Sequence, residues 1–227
     1  MKEIAENIWI FDGPNVRFLG LDIPTRMTII RNDNSLWVHS PIPITEEIRS
    51  FLGDNGKVEH IVAPNNLHHL YLDGWQEQYT DANFVAAPGV REKRPDLRFD
   101  VDLSRDKTYI WSDNIAHDHF IGNNVVEEVV FFHKASSTLI LTDLIINLIV
   151  DDFNWLQKRF ARFDGIAYPN GKSPRLFRWG TRNRTEARRC YQQMLDWSPN
   201  QIVISHGECF YTDGTNELKQ RLGWVEN

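Results

Sequence analysis

Two apolar segments joined by a short polar turn, Val125–His133 and Ser137–Asp143, decide the fold of this chain. They read VVEEVVFFH and STLILTD, and Lys134–Ser136 forms the turn between them. Runs of β-branched and aromatic residues bounded by polar residues are typical of buried strands. The second run ends at Asp143, inside the apolar stretch Thr138–Val150, where an unpaired carboxylate is costly to bury. We therefore predict a pair of strands that carries a functional acid at its end.

Strand and helix patterns on both sides of this pair predict an α/β fold. Thr45 followed by two acids indicates a helix start, and the charged stretch Arg91–Arg105 is predicted as surface loop that can include one edge strand. The other predicted strands are Asn7–Asp12, Met27–Asn32, Ser35–His39, Val58–Ala63, Asn83–Ala87 and Gln201–Ser205. The other predicted helices are Tyr71–Tyr79, Asp151–Phe163, Thr185–Trp197 and Glu217–Leu222.

Length and composition are those of a soluble globular protein. The 227 residues suit one domain, residues 1–227, and no linker or repeat divides them. With 31 acidic and 25 basic residues the net charge is −6, which disfavours wholesale nucleic-acid binding. The apolar run Leu139–Val150 is far shorter than the ~20 residues that cross a bilayer. Two cysteines, Cys190 and Cys209, and the lack of a signal-peptide pattern favour a cytoplasmic protein without membrane contact.

Histidines and one carboxylate follow several of the apolar runs. They are the pair His68–His69 after Val58–Ala63, then His133, Asp143 and His206. A rigid strand fixes the residue just past its end, which a metal or catalytic site requires. A lone histidine at a strand end is more often structural, but together these residues offer the ligands that zinc, iron and manganese accept.

The motifs around these residues resemble the metallo-β-lactamase superfamily in order and spacing over nearly the whole chain. They are APNNLHH at 63–69, HKASS at 133–137, Thr142-Asp143, and Ser205-His206-Gly207. The first motif departs most from the superfamily, and the pattern is similar to a branch described only as a domain of unknown function. The resemblance implies a four-layer αββα sandwich of two mixed β-sheets flanked by helices.

The resemblance also implies which ligands this chain keeps. Pro64 and Asn66 stand where the superfamily has two histidines, so the first of two metal positions keeps only His133 and a share of Asp143. The second position keeps a set of four side chains, in which His68 replaces an aspartate: His68, His69, Asp143 and His206. His133 is expected as a fifth ligand or as an acid–base group. We expect one divalent metal, with zinc favoured and iron or manganese as alternatives.

A metal-dependent hydrolase acting on a small anionic ester, thioester or phosphoester is the function that this site implies. In that interpretation Asp143 orients the metal and His133 moves protons. The alternative is a non-catalytic binding module, in which four ligands close a structural metal site or the site is an empty remnant. The loss of two ligands from the first loop favours the alternative, whereas retention of Asp143, His133 and His206 favours the enzyme.

Two further features leave alternatives open. Lys172–Arg189 contains seven cations among eighteen residues, with Phe177 and Trp179 between them. This stretch suits a phosphate-binding rim or a nucleic-acid-processing relative, but a solvated helix face paired with acids such as Glu186 is the simpler interpretation. His117 and His119 could chelate a metal from one strand face, although a surface loop is the simpler expectation.

Overall fold

Residues 1–226 are described by a computed structural model, and they form two β-sheets and seven α-helices. The strands are β1 (Lys2–Ala5), β2 (Ile8–Phe18), β3 (Leu21–Asn32), β4 (Ser35–His39), β5 (Lys57–Ala63), β6 (Asn83–Ala86), β7 (Val101–Asp102), β8 (Ile115–Phe120), β9 (Glu128–His133), β10 (Thr138–Leu141) and β11 (Gln201–Ile204). The helices are α1 (Glu46–Asn55), α2 (Leu72–Gln78), α3 (Val90–Lys93), α4 (Trp155–Asp164), α5 (Arg175–Gly180), α6 (Arg184–Asp196) and α7 (Gly214–Leu222), followed by a 3₁₀ turn at Gly223–Val225.

The chain divides into two compact units. The first comprises Met1–Pro14 and Arg26–Trp111, and the second comprises Asn15–Thr25 and the chain from Ser112 onward. The β2–β3 hairpin therefore has its base in the first unit and its tip in the second. The prediction that residues 1–227 form one domain stays a prediction.

The first sheet contains seven strands in sequence order, β1 to β7. Strands β3 and β4 are antiparallel, whereas β4 to β7 are parallel, so the sheet is mixed. Helices α1 and α2 connect successive parallel strands, as parallel pairing requires. The predicted helix start is confirmed, because the Thr45 side chain accepts a hydrogen bond from the Ile48 backbone N–H at 3.3 Å.

The second sheet contains four strands in the order β11, β10, β9 and β8. Strands β10 and β9 are antiparallel, and β10 and β11 are parallel with Leu141 opposite Ile204. The carboxyl ends of β10 and β11 therefore lie side by side at one edge of the sheet. Asp143 and His206 each come two residues after these ends, so this edge brings them together.

An apolar cluster in the second unit supports the chain that leaves Asp143. The hairpin tip contributes Leu21 and Ile23, which pack with Leu148, Ala161 and Ile166. Leu148 donates its N–H to the Ile166 carbonyl at 2.8 Å, which fixes the segment after Asp143 against the chain beyond α4.

Some elements differ from the sequence-based expectation. His117 and His119 lie in strand β8 instead of a loop, because the residues around them pair with β9. Helix α4 starts at Trp155, four residues later than predicted, because Asn154 caps it and exchanges hydrogen bonds with Gln157. The short helix α5 was not expected. The edge strand within Arg91–Arg105 is confirmed as β7. No helix of residues 1–226 has the length and apolar character needed to cross a membrane.

Candidate metal centre

Asp143 and His206 form a buried pair at the edge where β10 and β11 end. Asp143 Oδ1 lies 3.2 Å from His206 Nε2, and each side chain is only 8% exposed. The sequence predicted both residues, and the parallel pairing of the two strands explains why they meet. Within the second unit, Asp143 and His206 are the candidate metal ligands.

The ring of His206 is oriented by a backbone carbonyl. Its Nδ1 lies 2.7 Å from the carbonyl oxygen of Pro24, which can only accept, so Nδ1 carries a proton. A neutral ring then presents an Nε2 lone pair to the Asp143 carboxylate, which is unfavourable unless a proton or a cation lies between them. Burial alone lowers the pKa of His206, but the hydrogen bond and charge of Asp143 outweigh it and the pKa is raised.

Glu128 holds the backbone beside Asp143. It lies at the start of β9, is 1% exposed, and accepts backbone N–H groups from Thr142 at 2.6 Å, Asp143 at 2.7 Å and Leu144 at 3.0 Å. Burial and then the charge of Asp143 raise the pKa of Glu128 to about 7. Two carboxylates and one imidazole are thus buried in one unit, and a bound cation would compensate their charge. The donor set therefore fits a divalent metal ion.

Asn147 fixes the loop that carries His206. Its backbone N–H donates to the His206 carbonyl at 3.0 Å, and its side-chain N–H donates to the Glu208 carbonyl at 2.9 Å. Gly207 lies between these contacts with φ +94°, and a side chain there would collide with the Asn147 carbonyl. The position therefore needs glycine, which explains the Ser205-His206-Gly207 motif in local terms.

His133 lies at the other end of strand β10 from Asp143. Strands β9 and β10 are antiparallel, and His133 pairs with Thr138, the first residue of β10. At roughly 3.3 Å per residue, the five positions from Thr138 to Asp143 span about 16 Å. The Nδ1 atom of His133 lies 2.7 Å from Ser136 Oγ in the turn, and burial lowers the pKa of the His133 ring. The predicted role of His133 as a ligand or acid–base group beside Asp143 is therefore wrong.

The loop with the histidine pair belongs to the first unit. The Asn65 side chain accepts backbone N–H groups from Leu67 at 2.8 Å and His68 at 3.2 Å, which shapes the loop after β5. His68 Nδ1 lies 2.6 Å from Ser40 Oγ, at the end of β4. This contact fixes the ring and leaves Nε2 as the nitrogen that could bind a metal.

His69 has a different environment from His68. Its carbonyl accepts a hydrogen bond from the Arg94 guanidinium at 3.0 Å. Burial, then the charges of Arg94 and Lys93, lower its pKa. These positive charges keep His69 neutral, but they also disfavour a cation next to it, so His68 is the stronger candidate ligand in this loop.

The sequence missed Glu128, although a signal was present. Glu127 and Glu128 stand together in an apolar strand, and strand alternation places one of two neighbours inward. The cost of burying a carboxylate, which singled out Asp143, is the same for an inward glutamate. Glu127 is the exposed member of the pair, and Glu128 is the buried one.

Several arginines of the basic stretch have structural partners. Arg189 pairs with buried Asp118 at 2.6 Å and with Glu186 at 3.5 Å. Arg178 donates to the Asp164 carbonyl at 3.2 Å. The stretch is therefore partly a packed helix surface, whereas Arg182 and Arg184 remain exposed. His117 and His119 lie on one face of β8 with ring centroids 5.8 Å apart.

Comparison by sequence finds a match to a family model over part of the chain. A family model described as a domain of unknown function, DUF4336, matches residues 5–91, less than half of the chain. By sequence, no curated protein matches the chain at a significant level.

Solved metallo-β-lactamases match along the whole chain. DIM-1 metallo-β-lactamase exposed to ceftazidime has a TM-score of 0.68 and 13% identity, covering 99% of this chain and 95% of its own. A metallo-β-lactamase from Pontibacter korlensis has a TM-score of 0.67 and 14% identity, with 100% and 98% covered. FIM-1 from Pseudomonas aeruginosa, in a mono-zinc form, has a TM-score of 0.67 and 12% identity, with 99% and 93% covered. The chain has the metallo-β-lactamase fold, and the predicted fold class is confirmed.

Proposed function

We propose that this chain is a metal-dependent hydrolase that acts on a small anionic ester, thioester or phosphoester. One divalent ion would be held by Asp143 and His206, and the motif resemblance adds His68 and His69 as candidate ligands, with zinc favoured over iron or manganese. The observation that carries the proposal is the fixed ring of His206, whose Nε2 faces the Asp143 carboxylate at 3.2 Å. A cation bound by both atoms would take the place of the proton that the raised pKa of His206 otherwise provides.

The contacts of His206 match those of a metal-ligating histidine. Such a histidine donates its other ring N–H to a carbonyl or carboxylate, which fixes the tautomer and raises the basicity of the ligand nitrogen. The Pro24 carbonyl provides this partner at 2.7 Å. Glu128 keeps Asp143 in place through the backbone, and Asn147 keeps His206 in place in the same way. When bound, a divalent ion would polarise a carbonyl or phosphoryl oxygen of the substrate and make water more acidic.

The motif resemblance supports one metal and an anionic substrate. His68 stands where the superfamily has an aspartate, so the charge of the ion is less compensated and anionic groups are favoured. Pro64 and Asn66 stand where a second ion would find histidines. One structural relative, FIM-1, is known in a mono-zinc form. Both cysteines are free and buried, which supports a cytoplasmic location.

A non-catalytic binding module is the second candidate function. The departures at Pro64 and Asn66 favour it, because a set of four protein ligands would leave no open position for substrate. The buried Asn65 side chain accepts a backbone N–H of this loop, and such support suits a structural site. In this case the protein would bind metal but catalyse no hydrolysis.

Metal analysis of the purified protein tests the proposal. Wild type, His206→Ala, Asp143→Asn, His68→Ala and His69→Ala are equilibrated with zinc, iron(II) and manganese(II), freed of excess metal and analysed by mass spectrometry. About one equivalent is expected in wild type. It should be lost in the His206 and Asp143 variants and reduced in His68→Ala. Initial rates on nitrophenyl acetate, a thioester and a phosphodiester are measured on the same samples.

His133→Ala is the matched control, because it removes a buried histidine at the far end of β10. It should keep the metal and the hydrolytic rate of wild type. Metal that is retained by His206→Ala would contradict the assigned site. Metal that is bound by wild type without turnover of any ester would contradict the enzyme and favour the binding module.

A further inference from the structure

Helix α4 exposes its apolar side. The helix buries only Ala161 fully, whereas Trp155 is 70% exposed, Leu156 59% and Phe163 61%. An amphipathic helix on a globular protein normally directs its apolar stripe toward the core. Here the stripe faces solvent, so an exposed apolar surface remains after folding.

Helical geometry shows that this exposure is continuous. At 100° per residue, five residues of α4 fall within an arc of about 140° opposite Ala161. They are Trp155, Leu156, Arg159, Phe160 and Phe163. All five are exposed, and four of them are aromatic or aliphatic. A contiguous exposed apolar face of this kind marks an interaction surface.

Helix α5 extends this face. The Arg175 guanidinium lies 4.0 Å from the centroid of the Phe163 ring, and its Nε donates to the Phe163 carbonyl at 2.6 Å. These contacts hold the start of α5 against the end of α4. Leu176 and Trp179 of α5 are also exposed. We call the exposed apolar side chains of the two helices the α4–α5 surface: Trp155, Leu156, Phe160, Phe163, Leu176 and Trp179.

Cations lie within and beside the α4–α5 surface. Arg159 lies in the middle of the apolar arc and Arg162 flanks it, and both are exposed. Within residues 1–226, neither arginine has an ion pair with a carboxylate. The acids Asp151 and Asp152 lie before the start of the helix. The helix itself contains three cations, Lys158, Arg159 and Arg162, and one acid, Asp164, at its end. This is a basic surface on a protein whose net charge is −6.

We propose that the α4–α5 surface docks the protein onto an anionic lipid bilayer. Exposed Trp, Phe and Leu with Arg between them are the residues by which a helix lies in the plane of a membrane interface. Trp155 and Leu156 would enter the boundary between headgroups and acyl chains, while Arg159 and Arg162 contact anionic headgroups. Docking is peripheral, in contrast to the sequence-based expectation of no membrane contact.

Other occupants fit this surface less well. In a twofold dimer, the α4–α5 surface of one copy would pack against the same surface of the other. This would bring Arg159 and Arg162 of both copies close together, and their like charges would repel. A nucleic acid would match the cations and could stack on the aromatic rings, but it offers no apolar interior for the aliphatic side chains of Leu156 and Leu176. An anionic bilayer matches both the apolar side chains and the charges.

Vesicle sedimentation of the full-length protein tests the proposal. Vesicles of phosphatidylserine with phosphatidylcholine are compared with vesicles of phosphatidylcholine alone, at low and high salt. The double variant Arg159→Gln/Arg162→Gln should partition about 25-fold less to the anionic vesicles, because each cation contributes about fivefold. Trp155→Ser/Leu156→Ser should lose at least about tenfold, because two apolar side chains no longer leave water.

The control variants are Ile110→Ser, at an apolar position 76% exposed in the first unit, and Arg49→Gln, at an exposed arginine of α1. Both should sediment like wild type, and circular dichroism should show that all variants are folded. The proposal is overturned if wild type binds neither vesicle, or binds both equally. It is also overturned if Trp155→Ser/Leu156→Ser abolishes a dimer in light scattering instead of vesicle binding, or if single-stranded DNA is bound in place of vesicles.

Discussion

Single residues show how the candidate centre is held together. Glu128 accepts three backbone N–H groups from the turn that contains Asp143, and His206 donates to one backbone carbonyl. The two candidate ligands, Asp143 and His206, are thus positioned mainly through the backbone around them. Removing a positioning residue should therefore affect stability and metal binding together.

Glu128→Ala should lower the free energy of unfolding by at least about 3 kcal/mol, because several buried N–H groups lose their acceptor. It should also lower metal occupancy, because Asp143 is no longer held in place. Glu128→Gln should give an intermediate loss, since its amide oxygen can still accept. Urea unfolding and metal analysis measure both effects. Glu127→Ala, at the exposed neighbour, should stay within about 0.5 kcal/mol of wild type. Equal stability of Glu128→Ala and wild type would show that these hydrogen bonds do not position Asp143.

Much of the candidate centre was predictable residue by residue. Asp143 and His206 were found because each follows an apolar run, and the cost of burying a carboxylate singled out Asp143. Glu128 was missed because sequence alternation does not say which of two neighbouring acids faces inward. His133 was misplaced because the motif resemblance outweighed the short Lys134–Ser136 turn, which already implies an antiparallel pair with His133 and Asp143 at opposite ends.

Strand direction decides which residues meet. Strands β9 and β10 were predicted correctly as a pair, but their antiparallel register sends His133 to one end and Asp143 to the other. The parallel partner of β10 is β11, about sixty residues later, and no local pattern identifies it. The pairing of distant strands is therefore the part of the fold that local sequence patterns do not contain.

The loop after β11 allows a direct test at the level of one element. Gly207→Ala should lower the free energy of unfolding by about 3 kcal/mol or more, because φ is +94° and a Cβ would collide with the Asn147 carbonyl. Metal binding through His206 should be lost at the same time. Thermal unfolding and metal analysis measure the two effects.

Gly53→Ala is the matched control for Gly207→Ala. Gly53 lies in α1 with no atom within 4 Å of an added Cβ, so alanine there should be neutral or stabilise by up to about 1 kcal/mol. If both substitutions had the same small effect, the close contact between Gly207 and Asn147 would not be needed for the loop.

At the scale of the whole molecule, strand and helix patterns and the motif resemblance predicted the fold class but not the orientation of the protein's surfaces. The periodicity of Asp151–Phe163 indicated a helix, and α4 is that helix. Periodicity gives the angle of an apolar stripe but not the side from which the rest of the protein approaches. The α4–α5 surface could therefore be recognised only once Ala161 was seen to be the buried residue.

Metal removal should change the stability of the whole protein if the proposed ion binds only the folded chain. At a free metal concentration about 100 times the dissociation constant, binding stabilises by about 2.7 kcal/mol. For a chain of this size that corresponds to roughly 5 to 10 °C in Tm. Scanning calorimetry with and without a chelator measures the difference. His206→Ala should show no chelator effect, and an unchanged Tm in metal-loaded wild type would contradict the coupling of metal binding to folding.

The division of the β2–β3 hairpin between the two units has a consequence for synthesis on the ribosome. Leu21 and Ile23 pack with Ile146 and Leu148, yet the ribosome must add 123 residues after Ile23 before Ile146 exists. At about 5 to 20 residues per second, Leu21 and Ile23 lack these packing partners for about 6 to 25 s. During that interval the nascent chain leaves Leu21 and Ile23 exposed, although both are buried in the folded protein.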